Sequence, residues 1–377
     1  MDMQNMLSHA QVTSAIKAFH ASGVRRTIYV QGENGIGKTA CVMALRNDPQ
    51  FANHIFVDPI DATQMSDGSV WMPDIDREAG VSRELPNERF GLSKTNRLGV
   101  NGSRPVVVFL DEVDKAPQYI QNVLAPIMYD YRVGDYHFPE GSLVIAASNL
   151  GAEGLGDSTR AHIRSRRITV QMRKPTQPEW KEYAINKGLD YRVIAATSQY
   201  PSLFDSFLDY EEGGKHHGKT LKLDNPDIYN PRETQDSYAS PRTFEASSDI
   251  VRCIDMLDAQ TLRALLWGAV GVAAEKILTV IRLGNTLPDY ALVCNDPTGA
   301  PLVSDPIAQV VQVQQFVSRA KSRDEAAALT TYVMRMPREE HKQLFINQIA
   351  NSSKVTFFYT VEPFNKMLKE YNKFVNV

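Results

Sequence analysis

The sequence predicts an α/β core, a parallel β-sheet flanked by helices, followed by an α-helical domain. Three observations support this prediction. Apolar runs at 106–110 and 143–147 have the character of strands buried on both faces, and a shorter β-favouring run lies at 27–30. Each run leads into a polar or glycine-rich motif, as expected where strands deliver side chains to one edge of a sheet. Amphipathic helical patterns dominate the second half instead. We therefore expect a core at 1–174 and a helical domain at 175–377.

Length and composition limit the possible classes. The chain has 377 residues and a net charge of −3, with 43% hydrophobic and 23% charged residues. This is an ordinary globular composition without a general basic field for nucleic acid or anionic lipid. The three cysteines are far apart and form no CxxC pair, so neither a zinc site nor a disulfide framework is predicted. The apolar run Ala264–Ala274 is too short for a bilayer and predicts a buried helix. We expect a cytoplasmic protein that does not engage a membrane.

Two stretches fit the phosphate-loop pattern of glycine, four residues and Gly-Lys-Thr: GENGIGKT at 32–39 and GGKHHGKT at 213–220. Such a loop functions where it leaves a buried strand and enters a helix, because backbone N–H groups then face the phosphates. The first stretch follows the strand at 27–30 and precedes a helical segment at 40–45. The second follows acidic residues and is soon interrupted by prolines. We therefore predict one nucleotide site, at the first loop.

The apolar run at 106–110 ends in Asp111 and Glu112. An aspartate at a strand end can hold Mg²⁺ together with the loop residue Thr39, and the adjacent glutamate can polarise the water that attacks the γ-phosphate. The run at 143–147 leads to Asn149, whose amide can bond the γ-phosphate or that water. The predicted nucleotide-binding residues are Gly32, Glu33, Asn34, Gly35, Ile36, Gly37, Lys38, Thr39, Ala40 and Asp111.

In this order GENGIGKT, VVVFLDE and VIAASN resemble the Walker A, Walker B and sensor 1 motifs of AAA+ ATPases. IDATQMSDG, DEVDKAPQYIQNVLAPIMYDYRVGDYHFPEG and SPRT are similar to the MoxR-like branch of the helix-2-insert clade, which is of the dynein-related type. The resemblance covers about residues 10–285. It implies a hexameric ring that binds ATP and Mg²⁺ between subunits. It also implies a protein client, remodelled with a von Willebrand factor A domain partner.

The resemblance assigns roles to two arginines. The stretch at 162–168 occupies the place of the arginine finger, whose guanidinium reaches a neighbouring subunit's γ-phosphate. Related sequences read Asp-Arg-Phe where this chain reads Ser-Arg-Arg, so Arg166 matches best and Arg160 and Arg164 remain alternatives. Arg242 matches the sensor 2 arginine. It falls in the first turn of a predicted helix, where a bound phosphate would offset its unfavourable interaction with the helix dipole.

Two insertions are predicted in the core. The stretch at 61–105 carries Trp71 and Met72, which the resemblance places in the central pore against the client; the alternative is that Trp71 is buried. The stretch at 131–138 predicts a β-hairpin with residues 133–135 at its turn.

In the helical domain, a capping box at Thr176–Glu179 predicts a helix start, and Trp180, Tyr183 and Ile185 are interpreted as packing residues. Gly268 and Gly271 are predicted to let another helix approach closely. A mobile loop is expected near 205–240 and a turn-rich stretch at 284–310. The last three helices are predicted at 323–336, 338–349 and 361–374.

Together these features predict Mg²⁺-dependent ATP hydrolysis by an oligomer that remodels a protein. The alternative is a nucleic-acid motor or loader, suggested by the basic stretch at 160–174. The net charge of −3 and the lack of a recognisable DNA-binding module count against nucleic acid.

Overall fold

The computed structural model describes residues 5–97, 100, 102–150, 167–209, 225–231, 233–350, 352 and 356–371. The chain forms two compact units, 1–174 and 175–377. The predicted fold class is confirmed, because the first unit holds a parallel sheet with flanking helices and the second is helical. The second loop candidate, 213–220, lies outside the described residues, as do residues 210–224 and 232 of the segment near 205–240.

The first unit contains all the described strands. In chain order they are β1 (Ile28–Gln31), β2 (Ile55–Phe56), β3 (Ile60–Asp61), β4 (Trp71–Asp76), β5 (Val81–Pro86), β6 (Val106–Asp111), β7 (Arg132–Val133), β8 (Tyr136–His137), β9 (Leu143–Ser148) and β10 (Ile168–Gln171). Its helices are α1 (His9–Ala21), α2 (Lys38–Met43) and α3 (Gln118–Asp130).

The main sheet has the order β10-β1-β9-β6-β2, with β3 pairing the carboxyl end of β6, and its pairings are parallel. β6 and β9 are buried almost throughout because apolar clusters cover both faces of the sheet. One cluster includes α1 and α2, and the other includes α3. Burial on both faces explains why these strands have continuous apolar sequences. Since β1, β6 and β9 run in the same direction, the motifs that follow them meet at one edge.

The insertion at 61–105 forms the β4–β5 hairpin, and the second hairpin is β7–β8. Trp71 is half-buried against the core, whereas Met72 is 57% exposed. The turn of β7–β8 has two residues, Gly134 and Asp135, rather than the predicted three. Gly134 has a φ of 56°, and a Cβ there would lie 2.5 Å from the carbonyl oxygen of Glu84. A glycine is therefore required where the two hairpins touch.

The second unit is built from helices, and those described are α4 (Gln177–Lys187), α5 (Tyr191–Gln199), α6 (Pro241–Arg252), α7 (Ala259–Val270), α8 (Ala274–Gly284), α9 (Tyr290–Asn295), α10 (Pro306–Arg319), α11 (Arg323–Met334), α12 (Glu339–Ala350) and α13 (Glu362–Tyr371). The predicted capping box starts α4, where the Thr176 N–H donates to Glu179 at 2.7 Å. Trp180 is buried against Phe204 and Phe244. The packing prediction is wrong for Tyr183, which is 40% exposed because its hydroxyl bonds a carboxylate at the surface.

The run at 264–274, predicted to be a buried helix, is helical but interrupted, because Gly271, with a φ of 60°, ends α7 before α8 begins. A Cβ on Gly271 would lie 2.5 Å from the backbone oxygen of Ser237, so a loop approaches there rather than a helix, and Gly268 faces open space. Among the described residues, Ala259–Gly284 is apolar and long enough to cross a membrane by length and composition; half of its most apolar window is buried. The core helix of a globular unit meets the same criteria.

Candidate functional site

The first glycine-rich loop connects β1 to α2, and its glycines meet local requirements. Gly35 and Gly37 have φ values of 72° and 96°, a region that glycine enters without steric cost. A Cβ on Gly32 would lie 2.7 Å from the side chain of Ile36 and 2.8 Å from the Met172 oxygen. The loop therefore needs glycine at three of its positions. The helical segment expected at 40–45 is α2, which becomes a 3-10 turn after Met43.

Lys38 joins the loop to the end of β9. Its ammonium is buried and donates to the carbonyl oxygens of Gly32 and Glu33, both at 2.9 Å, and to Asn149 Oδ1 at 2.8 Å. Lys38 and Asn149 are 111 positions apart in the chain. The predicted phosphate-binding lysine and the predicted sensor amide are thus in direct contact.

Thr39 and Asp111 also meet, with the threonine hydroxyl donating to Asp111 Oδ2 at 2.9 Å. Mg²⁺ takes oxygen ligands and is often held by one or two carboxylates together with substrate phosphates. This hydroxyl and carboxylate fit that ion. Among the residues that the structure describes, no group of three or more His, Cys, Asp or Glu side chains forms a separate metal site.

Glu112 follows β6 in a left-handed backbone conformation, with a φ of 54°. A residue other than glycine in this region carries roughly 1–3 kcal/mol of strain and is common at functional sites. Its carboxylate accepts a hydrogen bond from Asn149 Nδ2 at 3.1 Å and lies 3.0 Å from Lys115 Nζ. The amide of Asn149 therefore bridges Lys38 and Glu112. Lys115 was not predicted from the sequence, although its position three residues after Glu112 is a spacing at which a lysine and a glutamate can pair.

Arg167 is the first described residue after the predicted finger; Arg160, Arg164 and Arg166 lie outside the described residues. The Arg167 guanidinium carbon lies 3.5 Å from the ring centroid of Tyr29, and Nη1 lies 3.5 Å from Asp114 Oδ1. The side chain of Arg167 is 2% exposed. Burial, followed by the negative charge of Asp114, raises the pKa of Tyr29, so its phenol stays neutral beside the cation. This cluster, which sequence reasoning missed, attaches the start of β10 to the turn after Glu112.

Arg242, the predicted sensor 2 arginine, lies in the second unit. It is an exposed residue in the first turn of α6, where Ser240 Oγ accepts from the Thr243 N–H at 3.2 Å. The helix start was correctly placed, and the role in nucleotide contact stays a prediction.

Residues 25–186 match the family model described as AAA domain (Cdc48 subfamily). This match, which covers the parallel sheet and the loop between β1 and α2, shows that this part of the chain is similar to an AAA domain. No curated protein shows a significant sequence match to the chain.

Two solved structures illustrate the wider similarity. NtrX from Brucella abortus in complex with ATP is 15% identical with a TM-score of 0.37, over 97% of this chain and 68% of that one. The Thermotoga maritima RuvB Holliday junction branch migration motor is 15% identical with a TM-score of 0.34, over 79% of this chain and 76% of that one. Both TM-scores are below 0.5.

Proposed function

We propose that this protein binds ATP at the loop after β1 and hydrolyses it with Mg²⁺. The observation that carries the proposal is the position of Asn149, whose amide bonds both Lys38 and Glu112. A residue between a phosphate-binding cation and a carboxylate can align the γ-phosphate with the attacking water. Positioning and electrostatic stabilisation are what phosphoryl transfer requires of a protein.

Each side chain then has a separate task. Lys38 exchanges its loop carbonyl partners for the β- and γ-phosphates when nucleotide binds. Thr39 and Asp111 would hold Mg²⁺, and the ion would supply positive charge against the phosphate oxygens. Glu112 polarises the attacking water, and Asn149 orients that water against the γ-phosphate. Asn149 and Lys115 each engage a different oxygen of the Glu112 carboxylate, and because a carboxylate offers about four acceptor sites, Glu112 can still accept the water's hydrogen bond.

We further propose that the active form is a ring of six identical subunits, as in the MoxR-like branch. Arg166 would complete each site from the neighbouring subunit, and Arg242 would contact the nucleotide from the helical unit. Both roles rest on the match of their sequence motifs. An arginine finger supplied by a neighbouring molecule raises kcat by a factor of roughly 10³–10⁵ in related nucleotide hydrolysis.

The proposed client is a protein, and the β4–β5 hairpin is its proposed contact. Met72 and Leu85 are cross-strand partners and are 57% and 38% exposed. The Glu84 N–H donates to Asp135 Oδ2 at 2.8 Å, which ties this hairpin to β7–β8, so that a displacement of one hairpin reaches the other. A von Willebrand factor A domain protein is the proposed partner. The nucleic-acid alternative is weakened because Arg167 and Lys174, in its basic stretch, are buried.

Phosphate release by purified protein tests the central proposal. We expect Glu112→Gln to retain nucleotide binding and to lower kcat by about 10²–10⁴, the usual contribution of a general base. Glu140→Gln is the matched control, because Glu140 is exposed and has no part in the site. Wild-type turnover no faster than that of Glu112→Gln would refute hydrolysis. In a separate experiment, affinity capture with the Glu112→Gln protein in the presence of ATP would identify the client.

A further inference from the structure

His9 is the first residue of α1, and its ring contacts the glycine-rich loop 27 positions further along the chain. Its Nε2 lies 2.8 Å from the carbonyl oxygen of Ile36. The same nitrogen would lie 3.2 Å from a Cβ placed on Gly37. Because a carbonyl oxygen can only accept a hydrogen bond, Nε2 must carry the hydrogen and donate it. The ring thus packs on the loop at the residue just before α2.

The backbone of His9 is fixed on both sides. Before it, Leu7 lies alongside β10, with its N–H donating to the Gln171 oxygen at 2.8 Å. Ser8 then caps α1, and its N–H donates to Gln11 at 2.8 Å. After it, the His9 oxygen accepts from the Thr13 hydroxyl at 2.9 Å. The backbone that carries the ring is therefore fixed beside the loop.

A phosphate-binding loop needs its N–H groups directed at the anion and its carbonyl oxygens directed elsewhere. The positive φ values of Gly35 and Gly37 make this curl possible. Glycine is flexible, so these values alone do not fix the direction of the Ile36 carbonyl. The His9 bond draws the Ile36 carbonyl towards α1. Released from His9, that oxygen could turn to the phosphates and repel them.

We propose that His9 is a positioning residue that holds the Ile36 carbonyl out of the phosphate site and thereby raises affinity for the nucleotide polyphosphate. This inference rests on the proposed ATP-binding function. Because His9 contacts the loop and none of the residues assigned to the attacking water, its loss should change binding more than turnover. Glutamine offers a matched substitution, since its side-chain amide can reach about where Nε2 lies, whereas the asparagine amide is shorter by one methylene.

Binding of a fluorescent ADP to full-length protein tests the proposal, together with KM and kcat for ATP. We expect His9→Leu and His9→Asn to raise Kd and KM by about three- to tenfold, the worth of one hydrogen bond. We expect kcat to stay within about twofold of wild type, and His9→Gln to restore Kd and KM to within about twofold.

Thermal unfolding without nucleotide separates positioning from a loss of stability. If His9→Leu is too unstable to assay, the contrast between His9→Gln and His9→Asn decides the matter. Equal Kd values for wild type, His9→Gln and His9→Asn would overturn the inference. A His9→Leu protein whose unfolding midpoint falls while its Kd stays at the wild-type value would overturn it as well. Wild-type protein that binds no ADP or ATP would instead refute the proposed function itself.

Discussion

The buried cluster of Arg167, Tyr29 and Asp114 predicts that removing one carboxylate will strongly destabilise the first unit. Asp114→Asn keeps nearly the same shape but leaves the Arg167 guanidinium without its countercharge. That cation has 2% of its side chain exposed and lies 3.5 Å from the Asp114 oxygen. The Tyr29 ring would still face it, but a neutral ring compensates a charge only in part.

Breaking a buried ion pair by removing one partner typically costs about 3–5 kcal/mol, because an unpaired charge remains away from water. The 13% exposure of the Asp114 side chain lets water reach part of the site, so we expect a value near the lower limit, about 3 kcal/mol. For a unit of this size, such a change lowers the unfolding midpoint by about 6–12 °C. Replacing both partners, as in Arg167→Met with Asp114→Leu, should recover most of the loss because no charge is left buried.

Urea denaturation of the single and double variants measures these effects. Asp249→Asn is the matched control, since Asp249 pairs with Arg252 at 3.3 Å but its side chain is 72% exposed. Exposed pairs contribute about 0–1 kcal/mol. An Asp114→Asn loss no larger than that of Asp249→Asn would show that water already compensates Arg167. A double variant no more stable than Asp114→Asn would show that packing, rather than charge, dominates.

The remaining predictions concern the two loop candidates, the shared site and a partly buried lysine. Lys38→Ala should abolish binding of a fluorescent ATP analogue and Lys219→Ala should leave it unchanged; equal losses would restore the second loop as a candidate. Arg166→Ala mixed with Glu112→Gln should recover ATPase activity that neither has alone, because some interfaces regain both groups; no recovery in verified mixed oligomers would contradict a shared site. Burial lowers the pKa of Lys181 from 10.5 to about 8. Above pH 10.5 the amine is neutral in both the folded and the unfolded state, so it does not destabilise the fold; as the pH falls to 8 the folded state increasingly carries the cost of burying the charged amine. Lys181→Met should therefore be more stable at pH 7, by at most about 3 kcal/mol, and the difference should vanish above pH 10.5; a difference in urea denaturation that is constant with pH would contradict this origin.

The central strands and the first loop could be predicted from the sequence because their determinants are local. Strands β6 and β9 are buried on both faces, so almost every residue is apolar and the runs are easily recognised. The loop shows its glycine spacing directly, and the polar residues after each strand share an edge because parallel strands end together. Asp111 and Asn149 were found in this way, and their contacts with Thr39 and Lys38 follow from the sheet order.

Helix α10 shows where local patterns fail. It was not predicted, although Asp305 and Pro306 form a helix start with an N-cap and a proline in the first turn. Gln312 and Gln315 are buried in it and donate to tyrosine hydroxyls of α11 and α5, at 3.2 Å in each case. A helix surrounded by other helices can bury amides where partners are available, so its sequence lacks the polar face that marks a surface helix.

The sequence alone thus determined the sheet, the position of the loop and the acid–amide set around it, since each depends on residues close together in the chain. Only the tertiary structure decided which distant groups support that set. His9 reaches Ile36, and Arg167 reaches Asp114. These contacts depend on how α1, β10 and the turn after β6 are packed around the sheet. A single positive or neutral side chain carries no spacing pattern that could reveal such a partner in advance.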